Sequence, residues 1–309
     1  MSSLSDKQFV RRTRLFPTFE KLIPYLFILP AGVFLIAIMG YPMIFTFFMS
    51  FQKFDLATLV SKQTEFIGLL NYQGVLRNPG FLVAFKHSLI FTFASIFFQF
   101  VIGLGLAILF SKAFPMSNTM RGLLLSGWQI PSVVTGTIFL WLFNLDYGLV
   151  NFILTSLNVI KEPIGWVTQA DTALITVILV NIWLGIPFNT ILLTAGITGL
   201  PEDVFEAATV DGANAWQKLI HITIPMLRST ILAVLMLGFI YTLRVFDVIW
   251  IMTKGGPADA TEVLPTFAYR LSFISFNFGQ SAAVSVIILS ILLVAAIGYL
   301  KFGIQEHSL

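Results

Sequence analysis

The chain has 309 residues, of which 57% are hydrophobic, 11% are charged and 32 are phenylalanine. This composition leaves too little polar surface to solvate a globular protein of that length, so we expect a membrane protein. The net charge of +3 comes from basic residues that lie mostly beside apolar runs, which argues against nucleic-acid binding. The absence of cysteine excludes disulfides and thiolate chemistry.

Six long apolar runs predict membrane spans, because a helix needs about 20 residues to cross the hydrocarbon core. One of the runs is interrupted by Arg244 and Asp247. In chain order, the runs lie within residues 21–53, 87–112, 121–146, 171–202, 231–253 and 270–301.

The N-terminal segment 1–21 is predicted to be cytoplasmic, because positively charged residues beside a span favour the cytoplasmic side. We expect no cleavable signal peptide, since the apolar run that follows is too long for one. Six spans then return the C-terminus to the cytoplasm. Residues 22–309 are predicted to form one multi-pass domain. The basic residues of the segment are Lys7, Arg11, Arg12, Arg14 and Lys21.

The second apolar run contains many phenylalanines between Phe91 and Phe100, which we interpret as lipid-facing or helix-packing residues. Gly103 and Gly105 follow in the same run. We expect both glycines to permit close approach of another helix rather than to bind a nucleotide.

The loop 195–230 is the only long loop on the predicted cytoplasmic side, and it contains the stretch LPEDVFEAATVDGANAWQKLIHITIPML. Pro201 favours a helix start, and Asp211 with Gly212 favours its end. Asp211 is expected to cap a second short helix that runs through Trp216. Exposed acids and small residues in this loop suggest a protein partner.

This loop resembles the EAA motif of binding-protein-dependent ABC transporter permeases. The matching positions are Glu206, Ala207, Ala208, Asp211, Gly212, Ala213, Ile222 and Pro225. The resemblance implies an all-α polytopic protein with about six transmembrane helices, the fold of a type I ABC importer permease. It also implies that residues 202–220 form coupling helices that dock on an ATPase. The residues expected to couple are Glu206, Ala207, Ala208, Asp211, Gly212 and Ala213.

Three further stretches are similar to the carbohydrate branch of this family, and to the larger permease of maltose importers. They are YLFILPAGVFLI, FIGLLNY and FDVIWIMTKGGP. The resemblance implies a sugar or oligosaccharide importer of the bacterial inner membrane. Its expected partners are a second homologous permease, two ATPase subunits and an extracytoplasmic solute-binding protein. ATP and Mg²⁺ would be bound by the ATPases, with no cofactor or metal in this chain and no catalysis by it.

The same resemblance, anchored on WQIPS, NIWLGIPF and GGP, carries over a substrate pathway. Trp128 offers an aromatic face for a sugar, and the amide of Asn181 is expected to hydrogen-bond to the hydroxyl groups of the sugar. An alternative is that the residues of the fifth span serve only helix packing. The complete set is Trp128, Ser132, Asn181, Leu184, Gly185, Phe188, Gly238, Tyr241, Thr242 and Val245.

Arg244 and Asp247 lie three residues apart in an apolar span, where a charge is costly. On a continuous helix both side chains would point away from the predicted pathway and could neutralise one another. Contact of the pair with the partner permease is a second interpretation. A third is that Arg244 binds an acidic substrate directly.

Two other classes of function remain as alternatives. A secondary transporter independent of an ATPase would have no reason to carry the EAA loop. A membrane enzyme would need a nucleophile, metal or carboxylate constellation, which the sequence lacks. The sequence also lacks the phosphate-binding pattern G-x-x-x-x-G-K-[ST], so energy must come from another subunit.

Overall fold

The computed structural model describes residues 17–112 and 114–303, which are predominantly helical. Two short π-helical segments, Ile36–Gly40 and Leu219–Thr223, continue the neighbouring helices. The other elements, in chain order, are α1 Pro17–Leu35, α2 Tyr41–Met49, β1 Gln52–Lys53, α3 Leu56–Ser61, β2 Glu65–Phe66, α4 Leu70–Arg77, α5 Pro79–Phe110, α6 Ser117–Trp128, α7 Ser132–Leu142, α8 Leu149–Ser156, α9 Ala170–Thr198, α10 Glu202–Val210, α11 Ala215–Lys218, α12 Ile224–Met226, α13 Arg228–Leu243, α14 Asp247–Met252, α15 Leu264–Phe273 and α16 Phe278–Gly303.

Two compact units divide the chain between Phe48 and Met49. In the first unit, the apolar helical stretch that begins at Pro24 buries none of its residues within the chain. Such a helix is apolar on all sides, as expected of a span in lipid. Of the predicted cytoplasmic segment, residues 1–16 lie outside the described residues, and 17–21 belong to α1.

The second unit is built around α5 and α9, which pack along much of their length. At their crossing, a Cβ atom on Gly103 would lie 2.6 Å from the Cβ of Asn189. A glycine is therefore required here for the two backbones to approach. The expectation for Gly105 is wrong within the described chain, because a Cβ added there would meet no atom within 4 Å.

Four of the predicted spans in this unit correspond to α5, α9, α13 with α14, and α16. The remaining one is not straight, because α6 and α7 are bent by 95° relative to one another. The predicted count of about six spans is met by five helical stretches long enough to cross a membrane together with this bent pair. Pro131, which precedes α7, explains the break, since proline lacks an N–H group and disfavours helical geometry in the residue before it.

The loop between α9 and α13 contains the two predicted short helices, α10 and α11. α10 begins after Pro201 and ends at Val210, as expected. The cap of α11 is not Asp211 but Asn214, whose side chain accepts a hydrogen bond from the backbone N–H of Gln217 at 2.9 Å. The Gln217 side chain accepts in return from the N–H of Asn214, a reciprocal pair that Asp211 cannot make because it ends α10.

Gly103 provides a test of the packing of α5 against α9. We expect Gly103→Ala to lower the free energy of unfolding by about 1–3 kcal/mol, because the added methyl group forces the two helices apart. Gly105→Ala is the matched control on the same helix and should change stability by less than about 0.5 kcal/mol. Thermal unfolding of the purified protein in detergent measures both. Equal effects of the two substitutions would contradict the proposed close contact.

Candidate functional site

A cavity of about 500 Å³ opens within the second unit, between α5, α6, α9 and α13. Its lining includes all ten residues of the predicted pathway. Two more residues, Gln99 and Ile130, line the cavity and were not predicted. The structure therefore brings together side chains from four separate stretches of the sequence, while their role in transport stays a prediction.

Three aromatic rings form one side of the cavity. The rings of Trp128 and Phe188 have centroids 6.1 Å apart, and the rings of Phe188 and Tyr241 meet edge to face at 5.7 Å. Trp128 and Tyr241 are both exposed, with 45% and 49% of their surface accessible. Exposed rings in a concave site supply flat apolar faces against which a ligand can pack.

Two amide side chains lie in the same cavity. The Nε2 of Gln99 donates to the backbone carbonyl of Asn181 at 2.8 Å, a bond that joins α5 to α9. Gly185 provides the space for this amide, because a Cβ there would lie 2.2 Å from the Gln99 side chain. The sequence signal for Gln99 was a single amide among phenylalanines, and polar residues in spans usually face the protein interior.

The interpretation of Arg244 and Asp247 as a mutual pair is wrong. The helix that should align them is interrupted, because α13 ends at Leu243 and α14 begins at Asp247. Among the described residues, no ion pair joins them within 4.0 Å. Asp247 instead accepts a hydrogen bond from Ser132 at 3.1 Å, and Arg244 lies 5.3 Å above the ring of Tyr241.

Both charged groups thus contact residues of the cavity, although neither lines it. Ser132 and Tyr241 are their respective partners. The expectation that both side chains point away from the pathway depended on an unbroken helix. The Ser132 bond also joins α7 to α14, so that the halves of two broken helices are held together beside the cavity.

The predicted coupling residues lie at the end of α10 and in the turn that follows it. Glu206, Ala207, Asp211 and Gly212 are exposed, and Ala208 and Ala213 are half-buried. Gly212 has a φ of +78°, a left-handed conformation that other residues adopt only with strain. The Nζ of Lys218 donates to the Thr209 hydroxyl at 2.6 Å and connects α11 to α10.

Two large apolar side chains project from this loop and were not predicted as part of the surface. Val210 is 88% exposed and Trp216 is 67% exposed. Exposed apolar groups beside small and acidic residues are typical of a surface that binds another protein.

In the described part of the chain, no group of three His, Cys, Asp or Glu side chains could hold a metal ion.

Comparison with known proteins identifies the family. Residues 99–306 match the family described as binding-protein-dependent transport system inner membrane component. The chain is 31% identical to the trehalose/maltose transport system permease protein MalF of Thermococcus litoralis, over 92% of this chain and 94% of that protein. It is 32% identical to the sulfoquinovosyl glycerol transport system permease protein SmoG of Agrobacterium fabrum, over 96% of this chain and 95% of the relative.

Solved structures agree in fold. A chain from the crystal structure of a bacterial ABC transporter that imports the acidic polysaccharide alginate superposes with a TM-score of 0.79 at 23% identity, covering 94% of this chain and 99% of its own. Taken with the family match, this likeness confirms the predicted fold class. The chain belongs to the family of binding-protein-dependent transport system inner membrane components and has the fold of a type I ABC importer permease.

Proposed function

We propose that the chain is a transmembrane permease subunit of an ATP-driven importer and that the cavity is its passage for a sugar or oligosaccharide. The observation that carries this proposal is the combination of exposed aromatic faces with amide groups in one cavity. Aromatic faces pack on the C–H groups of sugar rings, and amides hydrogen-bond hydroxyl groups as both donor and acceptor. The names of relatives support it, since they refer to trehalose/maltose, diacetylchitobiose and sulfoquinovosyl glycerol.

The proposed mechanism is alternating access. An external solute-binding protein delivers the sugar to the outer mouth, and the spans then reorient around it. The energy comes from two separate ATPase subunits that bind ATP and Mg²⁺, while this chain catalyses no reaction. The exposed residues at the end of α10 support the contact with an ATPase, which would transmit its closure through residues 202–220.

The proposed complex also contains a second, homologous permease. One chain carries one coupling loop, and an importer with two ATPases needs two such loops. In this arrangement the N- and C-termini and the loop 195–230 face the cytoplasm. The proposed solute-binding protein has support by analogy, because a bacterial alginate ABC transporter of similar fold has been solved in complex with a periplasmic protein bound to an alginate pentasaccharide.

Trp128 tests the role of the cavity. Trp128→Ala removes an exposed aromatic face, and we expect the maximal rate of sugar uptake to fall about tenfold, equivalent to about 1.4 kcal/mol. Uptake of the radiolabelled sugar into proteoliposomes that contain the whole complex measures this. Trp141→Ala is the matched control, because Trp141 is 69% exposed and lies outside the cavity. A comparable loss in both variants would rule out a specific contact with Trp128.

Gly212 tests the coupling loop. In Gly212→Ala the new methyl group meets no atom within 4 Å, so that its effect comes from the left-handed backbone alone. We expect a cost of about 1 kcal/mol in ATPase binding, or about fivefold weaker association. Copurification of the ATPase with the tagged permease measures it.

The control for this variant is Gly199→Ala, at the start of the same loop, where the backbone φ is −86° and a Cβ would make only ordinary contacts. This control should retain the ATPase. Retention of the ATPase by both variants would show that the conformation at Gly212 is unimportant for coupling.

A further inference from the structure

A stripe of polar side chains runs along the buried face of α5. It consists of Ser88, Thr92, Ser95 and Gln99, spaced by four, three and four residues. This spacing keeps all four side chains on one face of a helix. None is more than 4% exposed, so the stripe lies inside the protein and not toward lipid.

The two ends of the stripe have hydrogen-bond partners in the protein. The hydroxyl of Ser88 accepts from the backbone N–H of Leu264 at 2.7 Å. At the other end, Gln99 donates to the carbonyl of Asn181 in the cavity. The stripe therefore extends from the first residue of α15 to the cavity, over about 16 Å at the rise of an α-helix.

The middle of the stripe has no partner. The hydroxyls of Thr92 and Ser95 make no hydrogen bond to any residue that the structure describes, although both residues are fully buried. A buried hydroxyl in a helix can bond to the carbonyl four residues earlier, as Thr190 does with Ile186 at 2.8 Å. The Nδ2 atom of Asn181 is likewise unpartnered.

The end near α15 has unpartnered atoms too. The side chain of Glu262 is 1% exposed, and its Oε2 accepts from Arg270 at 2.7 Å, whereas its Oε1 has no partner. His87, next to Ser88, has an unpartnered Nδ1. Burial raises the pKa of Glu262, and the hydrogen bond from Arg270 opposes that rise.

The unpartnered atoms are therefore concentrated in one region. In the described residues, six buried side-chain atoms lack a partner, and five of them lie on the stripe or beside its ends. The sixth is the Nε of Arg121. Buried polar groups are costly when unpaired, and those without a protein partner typically bind ordered water.

We propose that this stripe binds a file of buried water molecules that connects the loop at Glu262 with the cavity at Gln99 and Asn181. At about 2.8 Å between hydrogen-bonded oxygens, the distance of about 16 Å accommodates five or six waters. Thr92 and Ser95 hold the waters in the middle, and Glu262 and His87 hold those at the far end.

The file serves the hydration of the cavity. A volume of about 500 Å³ corresponds to about 17 waters at about 30 Å³ each, and a sugar that enters must displace much of this water. The file is a second route for water that the sugar does not occupy. This use of the file rests on the proposed function, whereas the presence of the water does not.

Radiolytic footprinting tests the file. Brief X-ray exposure of the whole complex in lipid nanodiscs generates hydroxyl radicals from bound water, and mass spectrometry locates the oxidised side chains. Phe91 is the reporter, because it is 1% exposed and lies on the same face as Ser88 and Ser95. Phe81 is the control: it is 4% exposed on the same helix and, like Phe91, belongs to an apolar cluster, but it lies 11 residues from Thr92.

We expect Phe91 to be oxidised at least about fivefold faster than Phe81, since only Phe91 has water beside it. This comparison needs no substitution. The double variant Thr92→Val with Ser95→Ala should reduce oxidation of Phe91 about threefold or more, whereas the matched control Thr190→Val should leave it unchanged.

Equal oxidation of Phe91 and Phe81 in the unsubstituted complex would overturn the proposal. So would undiminished oxidation of Phe91 in the double variant. Because the measurement requires no transport, a complex that carries a substrate other than a sugar would still give the expected labelling, and the failure of one proposal is distinguishable from that of the other.

Discussion

A peptide group inside a bilayer must find its hydrogen-bond partner within the protein, and this constraint explains where the helices of this permease are interrupted. Two apolar spans break, one between Trp128 and Ser132 and the other between Leu243 and Asp247. Irregular backbone at membrane depth is tolerated where it is enclosed by protein or lines a cavity. Both breaks adjoin the same cavity, and the hydrogen bond from Ser132 to Asp247 joins α7, which follows the first break, to α14, which follows the second. The cavity thus lies where two spans lose their regular helical hydrogen bonds.

The helix α9 links the cavity to the coupling surface. Asn181 and Phe188 project from it into the cavity, and α10 begins only four residues after its end at Thr198. From Asn181 to Thr198 the helix spans about 26 Å. Its contact with α5 is fixed by Gly103, and the amide of Gln99 crosses between the same two helices. A displacement of α10 by an ATPase would therefore be transmitted along a continuous helix that is packed over its length.

Much of this architecture could be predicted from the sequence, because apolar runs and the EAA spacing are local patterns. The spans and the position of α10 came from such patterns, whereas the set of residues around the cavity came from the resemblance to sugar permeases, carried over at three short motifs. The break after Leu243 could not be predicted in this way, since no proline or glycine marks it and the run is apolar apart from Arg244 and Asp247. Because the helix was predicted to be continuous, Arg244 and Asp247 were predicted to point away from the pathway, whereas in the structure both contact residues of the cavity. Gln99 was missed because its role depends on Gly185, 86 residues later, where the lack of a side chain leaves room for the amide. The cap at Asn214 was missed because Asp211 was an equally plausible residue for that position.

The exposed side chains of Val210 and Trp216 have a consequence for how the cell balances its subunits. In the proposed complex, a permease without its ATPase would present these two apolar groups, 88% and 67% exposed, to the cytoplasm. Quality-control chaperones and proteases bind exposed apolar surfaces, so a permease copy without an ATPase would be a substrate for degradation. The same residues that would transmit force in the complete transporter would then also limit the permease to the number of ATPases available, without any separate regulatory circuit.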